Sequence, residues 1–169
     1  MNRRNTLAAI SASLLLLSLT MPAGDAAAQG AKSLVGSWAL VSTDNVDASG
    51  KRTPIFGPNP RASLIFTSNG RYSLYISRAS LPKFAAGNRE KGTADENKAV
   101  VGGVISHIGR YTVDEKDKSF TFHVESSTYP NWDGTAQKRP FTVSGDELKY
   151  TNAAASGGGR ADLVWKRVK

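Results

Sequence analysis

The feature that most constrains this chain is the spacing of its turns. Eight runs of alternating, β-branched and aromatic residues, at 36–46, 60–67, 71–78, 102–113, 118–127, 138–143, 148–152 and 160–168, read as strands. Their connections alternate strictly between long (47–59, 79–101, 128–137, 153–159) and short (68–70, 114–117, 144–147). If each strand runs antiparallel to the next, every long connection lies at one end of the sheet and every short one at the other. Such a sheet closes on itself, loses its edges, and keeps a lumen wide enough for side chains or one small ligand. The expected fold is therefore all-β, an eight-stranded antiparallel up-and-down barrel with an open mouth and a shut floor. Thr93-Ala94-Asp95-Glu96 forms a capping-box pattern, which places one short helix in the 79–101 connection.

The first run starts at the shut end with Gly36-Ser37-Trp38, and the last run ends there with Trp165 and Arg167. Closure of first strand on last brings these residues together as a structural plug, with a guanidinium on the indole face. Ahead of them, residues 1–28 read as a cleavable secretory signal. Arg3 and Arg4 precede an apolar stretch from Leu7 to Leu19, and the small-residue site Ala26-Ala27-Ala28 follows. That leaves 29–169 as a single domain, destined for the periplasm or the exterior, with no stable membrane insertion after cleavage. The chain has no cysteine, so its core must hold it without disulfides. The formal net charge of +8 describes a basic protein but supplies no nucleic-acid motif.

In order along the chain, "LVGSWALVS", "NPRASLIFTSNGRYSLYISR", "ENKAVVGGVISHIGRYTVDE", "TFHVESSTYPNWDGTAQKRPFTVSGDELKYT" and "VWKR" resemble the bacterial lipocalin-like domain family of calycin-type barrels. The resemblance covers residues 33 to 168. It implies an exported eight-stranded calycin barrel with a small-molecule cavity, and it transfers no catalytic motif residue by residue.

Register arguments nominate the ligand-binding residues. A two-residue turn at Asn69-Gly70 sets Arg61 opposite Arg78, both at the mouth. The 144–147 hairpin places Arg139 near Asn152, also at the mouth. These like charges are either a solvated rim or a cradle for an anionic headgroup. Tyr129 and Trp132 lie on the mouth loop 128–137, where they either flank an entering ligand or anchor their loop. Matching apolar rows on 102–113 and 118–127 puts His107 on the face of Phe122, inside the barrel, and His123 outside. Tyr72, Tyr111 and Tyr150 supply lumen hydroxyls and aromatic filling.

No nucleophile elbow, phosphate loop or metal-ligand spacing is present. No catalytic residue, metal or cofactor is therefore assigned, and the oligomeric state stays open. Three functions remain. The first is binding of a small hydrophobic or amphipathic, acidic molecule in the lumen. The second is cyclase- or isomerase-type chemistry through His107 and a lumen tyrosine. The third is association of the basic rim with anionic lipid or polysaccharide.

Overall fold

The structure, a computed structural model, describes residues 30–169. The expected signal segment lies outside them. Nine strands form one sheet: β1 (Gly36–Val46), β2 (Arg52–Pro54), β3 (Arg61–Phe66), β4 (Arg71–Ser77), β5 (Val104–Asp114), β6 (Ser119–Ser127), β7 (Ala136–Ser144), β8 (Glu147–Asn152) and β9 (Arg160–Arg167). From β3 to β9 each strand pairs with its sequence neighbour, and β1 pairs with both β3 and β9. The barrel is closed. Strand β2 is the one addition to the eight, a short segment within the first long connection that pairs with the upper part of β1. Its Arg52 reaches Asp44 at 3.3 Å and Asp162 at 3.2 Å, tying it to the outer wall.

Closure sets Trp38 directly opposite Arg167. The guanidinium lies 4.1 Å from the centroid of the indole, and its N–H groups donate to the Ser33 and Val35 carbonyls at 2.6 and 2.7 Å. Residues 30–34 make a helical turn beneath the barrel, and the Trp38 indole N–H donates to the Leu34 carbonyl at 2.8 Å. One arginine thus satisfies carbonyls of the entering segment and stacks on the ring that fills the floor. Phe66, Phe120, Leu148 and Trp165 pack around it, none more than 1% exposed.

Two bulges change which residues face inward. Pairing of β1 with β9 slips between Leu40 and Ser42, so Val41 is turned out to 60% exposure while Thr43 is buried. An extra residue reverses strand parity locally. On β6 the extra residue is Glu125, since Gly109 faces Val124 and Ile108 faces Ser126. Glu125 points outward to Arg71 at 2.7 Å.

The Asn69-Gly70 turn differs from expectation. Phe66, not Thr67, pairs with Tyr72, and Arg61 faces Ser77 instead of Arg78. Gly70 has φ +80° and its N–H donates to the Thr67 carbonyl, so the loop is one residue longer than a two-residue turn and ends in a glycine bulge. The helix Ala94–Val101 is capped by the reciprocal Thr93–Glu96 bonds, as the capping-box pattern implies. It contributes no residue to the barrel's cavity.

Arg167→Ala should lower unfolding free energy by about 2–4 kcal/mol, combining the stacking and the charged hydrogen bonds. The same change at exposed Lys166 should stay within about 0.5 kcal/mol. Equal effects in urea titrations would refute the plug's role.

Candidate functional site

The mouth half of the barrel encloses a cavity of about 460 Å³. Strands β4, β5, β8 and β9 give it the inward positions nearest the mouth, while β6 and β7 give it residues one inward position deeper than Val124 and Gln137. Leu74 and Ile76 come from β4, Ile105 and His107 from β5, Phe122 from β6 and Arg139 from β7. Strands β8 and β9 add Tyr150, Asn152, Ala161 and Leu163. Over the opening lie Ile55 and Phe56 beside β2, Trp132 of the 3-10 turn Pro130–Trp132, and the small residues 155–158.

Arg139 is the dominant electrostatic feature. It is 5% exposed, yet among the described residues it has no carboxylate partner. Its guanidinium donates to the Lys138 carbonyl at 3.1 Å and to Gln137 Oε1 at 2.5 Å, and it sits 6.0 Å from the Phe122 ring centroid. Burial lowers its pKa, but guanidinium remains charged at any ordinary pH. A buried cation without a counter-ion carries a desolvation penalty of several kcal/mol. The only acid on the cavity lining is Asp47, an exposed rim residue whose carboxylate is engaged by Ser49 and Lys51.

His107 is 4% exposed and lies within 2.8 Å of the Tyr72 hydroxyl through Nδ1. Desolvation, helped by the charge of Arg139, pushes its pKa down to about 3. In the tautomer that carries its proton on Nε2, the neutral ring accepts a hydrogen bond from the Tyr72 hydroxyl at Nδ1, and Nε2 has no hydrogen-bond partner among the described residues. The imidazole stands edge-on to Phe122 at 5.2 Å and to Trp132 at 5.7 Å between centroids. Burial also raises the pKa of Tyr72 and Tyr150, which stay protonated.

Of the nominated residues, the structure brings His107, Phe122, Trp132, Arg139 and Tyr150 to one cavity. Tyr72 supports it from beneath His107. The rest stand elsewhere. Arg61 is exposed because inward positions on β3 are Ala62, Leu64 and Phe66. Arg78 lies past the end of β4, exposed at the rim. Tyr111 is buried too deep, donating to the Thr67 carbonyl at 3.0 Å and packing on Phe66. Tyr129 packs edge-on against Trp132 at 5.6 Å and props the loop without lining the cavity. His123 faces outward and meets Thr112 Oγ1 at 2.9 Å.

The family model described as a lipocalin-like domain matches residues 35–168. The chain belongs to the lipocalin-like domain family. This lipocalin-like chain is also 27% identical over 106 residues to a 4'-hydroxy-3'-methoxypropiophenone carrier protein of Aspergillus oryzae, covering 57% of this chain and 96% of that protein. Among solved structures, a redesigned β-barrel aligns with TM-score 0.43 and 14% identity, over 83% of this chain and 96% of that one. A Schistosoma mansoni fatty acid binding protein in complex with arachidonic acid aligns with TM-score 0.39 and 16% identity, over 83% and 99%.

In this lipocalin-like barrel, sequence reasoning missed Thr43 and the pair Ile55-Phe56. Thr43 faces the lumen only because of the β1 bulge. Asn152 was legible as the neighbour of Arg139, on the alternation that buries Leu148 and Tyr150.

The imidazole of His107 should not titrate between pH 5 and 8 when followed by NMR. Its native pKa near 3 lies below the ordinary 6.5, so on acidification the unfolded chain takes up the proton first. This residue's contribution is constant above about pH 6.5 and is lost progressively toward pH 3. His107→Gln should flatten that part of the stability profile; an unchanged profile would contradict a neutral buried imidazole.

Proposed function

We propose that this protein is an exported carrier that binds a small amphipathic molecule in its lumen, with the molecule's acidic group on Arg139. The observation that carries the reading is the buried, unpaired guanidinium. A charge kept out of water without a counter-ion weakens the empty barrel, and an anionic ligand supplies the missing partner by bidentate hydrogen bonds. The polar groups at the cavity's centre reinforce the sign: Arg139 only donates, and His107, in the tautomer that accepts from Tyr72, has its Nε2–H free. The carrier named among the relatives agrees with a transport role. The secretory signal read over residues 1–28 directs this carrier to the periplasm or the exterior.

The 2.8 Å contact of Tyr72 with His107 is the one observation favouring proton-shuttle chemistry. An imidazole whose pKa sits near 3 is a feeble base at neutral pH, which weakens that reading. Turnover lost in His107→Ala with binding retained would restore it.

Native mass spectrometry of gently purified protein should reveal a stoichiometric acidic small molecule. The stripped barrel should bind anilinonaphthalene sulfonate, and Arg139→Met should weaken that binding by about tenfold or more. The empty Arg139→Met barrel should melt at the same or a higher temperature, since an apolar side chain removes the desolvation penalty. Undiminished binding by Arg139→Met would refute the assignment.

A further inference from the structure

The cavity occupies only the mouth half of the barrel. On β4 and β5 its lining stops after two inward positions, Leu74 and Ile76 or Ile105 and His107. Two successive inward positions cover only about 7 Å of strand. Below them the aromatic floor is solid. The chamber is consequently short and wide, and a long acyl chain has to fold back on itself or trail from the mouth.

Its walls are also chemically biased. Phe122, His107 and Trp132 all line it, with His107 turned 77° from Phe122 and 89° from Trp132. With the Phe122 and Trp132 centroids 5.2 and 5.7 Å from that of His107, the three rings form one aromatic wall, which presents faces and edges to whatever lies against it. A flat ring gains offset or edge-to-face contacts there that a saturated chain cannot make. Arg139, standing over Phe122, puts the anion-binding group beside this wall instead of at the end of a tunnel.

We infer that the occupant is a compact, planar aromatic molecule bearing one ionised oxygen, a carboxylate or phenolate, with its ring against the wall formed by His107, Phe122 and Trp132 and its oxygen on Arg139. This rests on the acidic-ligand reading above and goes beyond it, because it selects aryl acids over fatty acids. The charged and titratable groups around the site are Arg139, His107, Tyr72 and Tyr150, with Asp47 and Lys51 at the rim. Among them Arg139 alone is both buried and cationic at neutral pH.

The test compares trans-cinnamate, nonanoate and cinnamyl alcohol by isothermal titration calorimetry on the stripped protein. The two acids share carbon number and charge and differ in planarity; the alcohol keeps the ring and lacks the charge. Cinnamate should bind about tenfold or more tightly than either competitor, consistent with ring contacts and a charged hydrogen bond each worth a few- to tenfold. Trp132→Leu should weaken cinnamate binding more than nonanoate binding and so shrink the preference between the two acids. Arg139→Gln should bring cinnamate down to the level of the alcohol, and Arg139→Lys should recover part of the loss. Nonanoate or palmitate binding as tightly as cinnamate in the wild-type protein would overturn this inference while leaving the acidic-ligand reading in place. Cinnamyl alcohol binding as tightly as cinnamate, together with an indifferent Arg139→Gln, would overturn both. Failure of cinnamate to bind at millimolar concentration would overturn the inference as well.

Discussion

Everything in this barrel depends on the seam between its first and last strands, and one side chain, Arg167, holds that seam at its base. Its guanidinium stacks on Trp38 and takes the carbonyls of Ser33 and Val35. A closed sheet has no free edges, but closure joins residues more than a hundred positions apart, and the loop-closure entropy must be offset by contacts made only when the ends meet. A cation–π stack and charge-assisted hydrogen bonds, gathered on one residue and shielded by the floor, are of that kind. They also fix the register of β1 on β9, which decides which residues of both strands look inward.

With the floor filled by Trp38, Trp165 and Phe120, the barrel's apolar burial is concentrated at one end. The mouth half is then free to remain unpacked and to carry a cost. The largest cost there is Arg139, buried beside rings with only a backbone carbonyl and an amide oxygen as acceptors. A fold without a solid floor would gain little by adding this penalty. Here it creates a positive centre in a low-dielectric chamber, where an anion is attracted far more strongly than at the solvated rim. The same field and the same burial hold His107 neutral, so the two most polar lumen residues play different parts: a fixed charge and a neutral hydrogen-bonding ring.

Much of this was legible in the residues. The alternation of long and short connections gave the end at which the mouth lies. The apolar rows of β5 and β6 turned His107 in and His123 out, because a one-residue slip would have set polar residues against an apolar row. What failed was local. Gly70 lengthened a turn by one residue and uncoupled Arg61 from Arg78. The β1 bulge brought Thr43 into the lumen. The segment 52–54, polar and short, gave no strand signal and became β2 only by pairing with β1.

The sequence by itself determined the barrel, its closed end and the inward faces of its central strands, since strand alternation and turn length are local properties of the chain. Only the tertiary structure decided how deep the floor reaches, that Arg139 alone among the nominated arginines is buried in the chamber, and that the helix Ala94–Val101 stands clear of it. Those outcomes depend on bulges, strand tilt and the packing of side chains from opposite walls, which bring together residues far apart in the sequence.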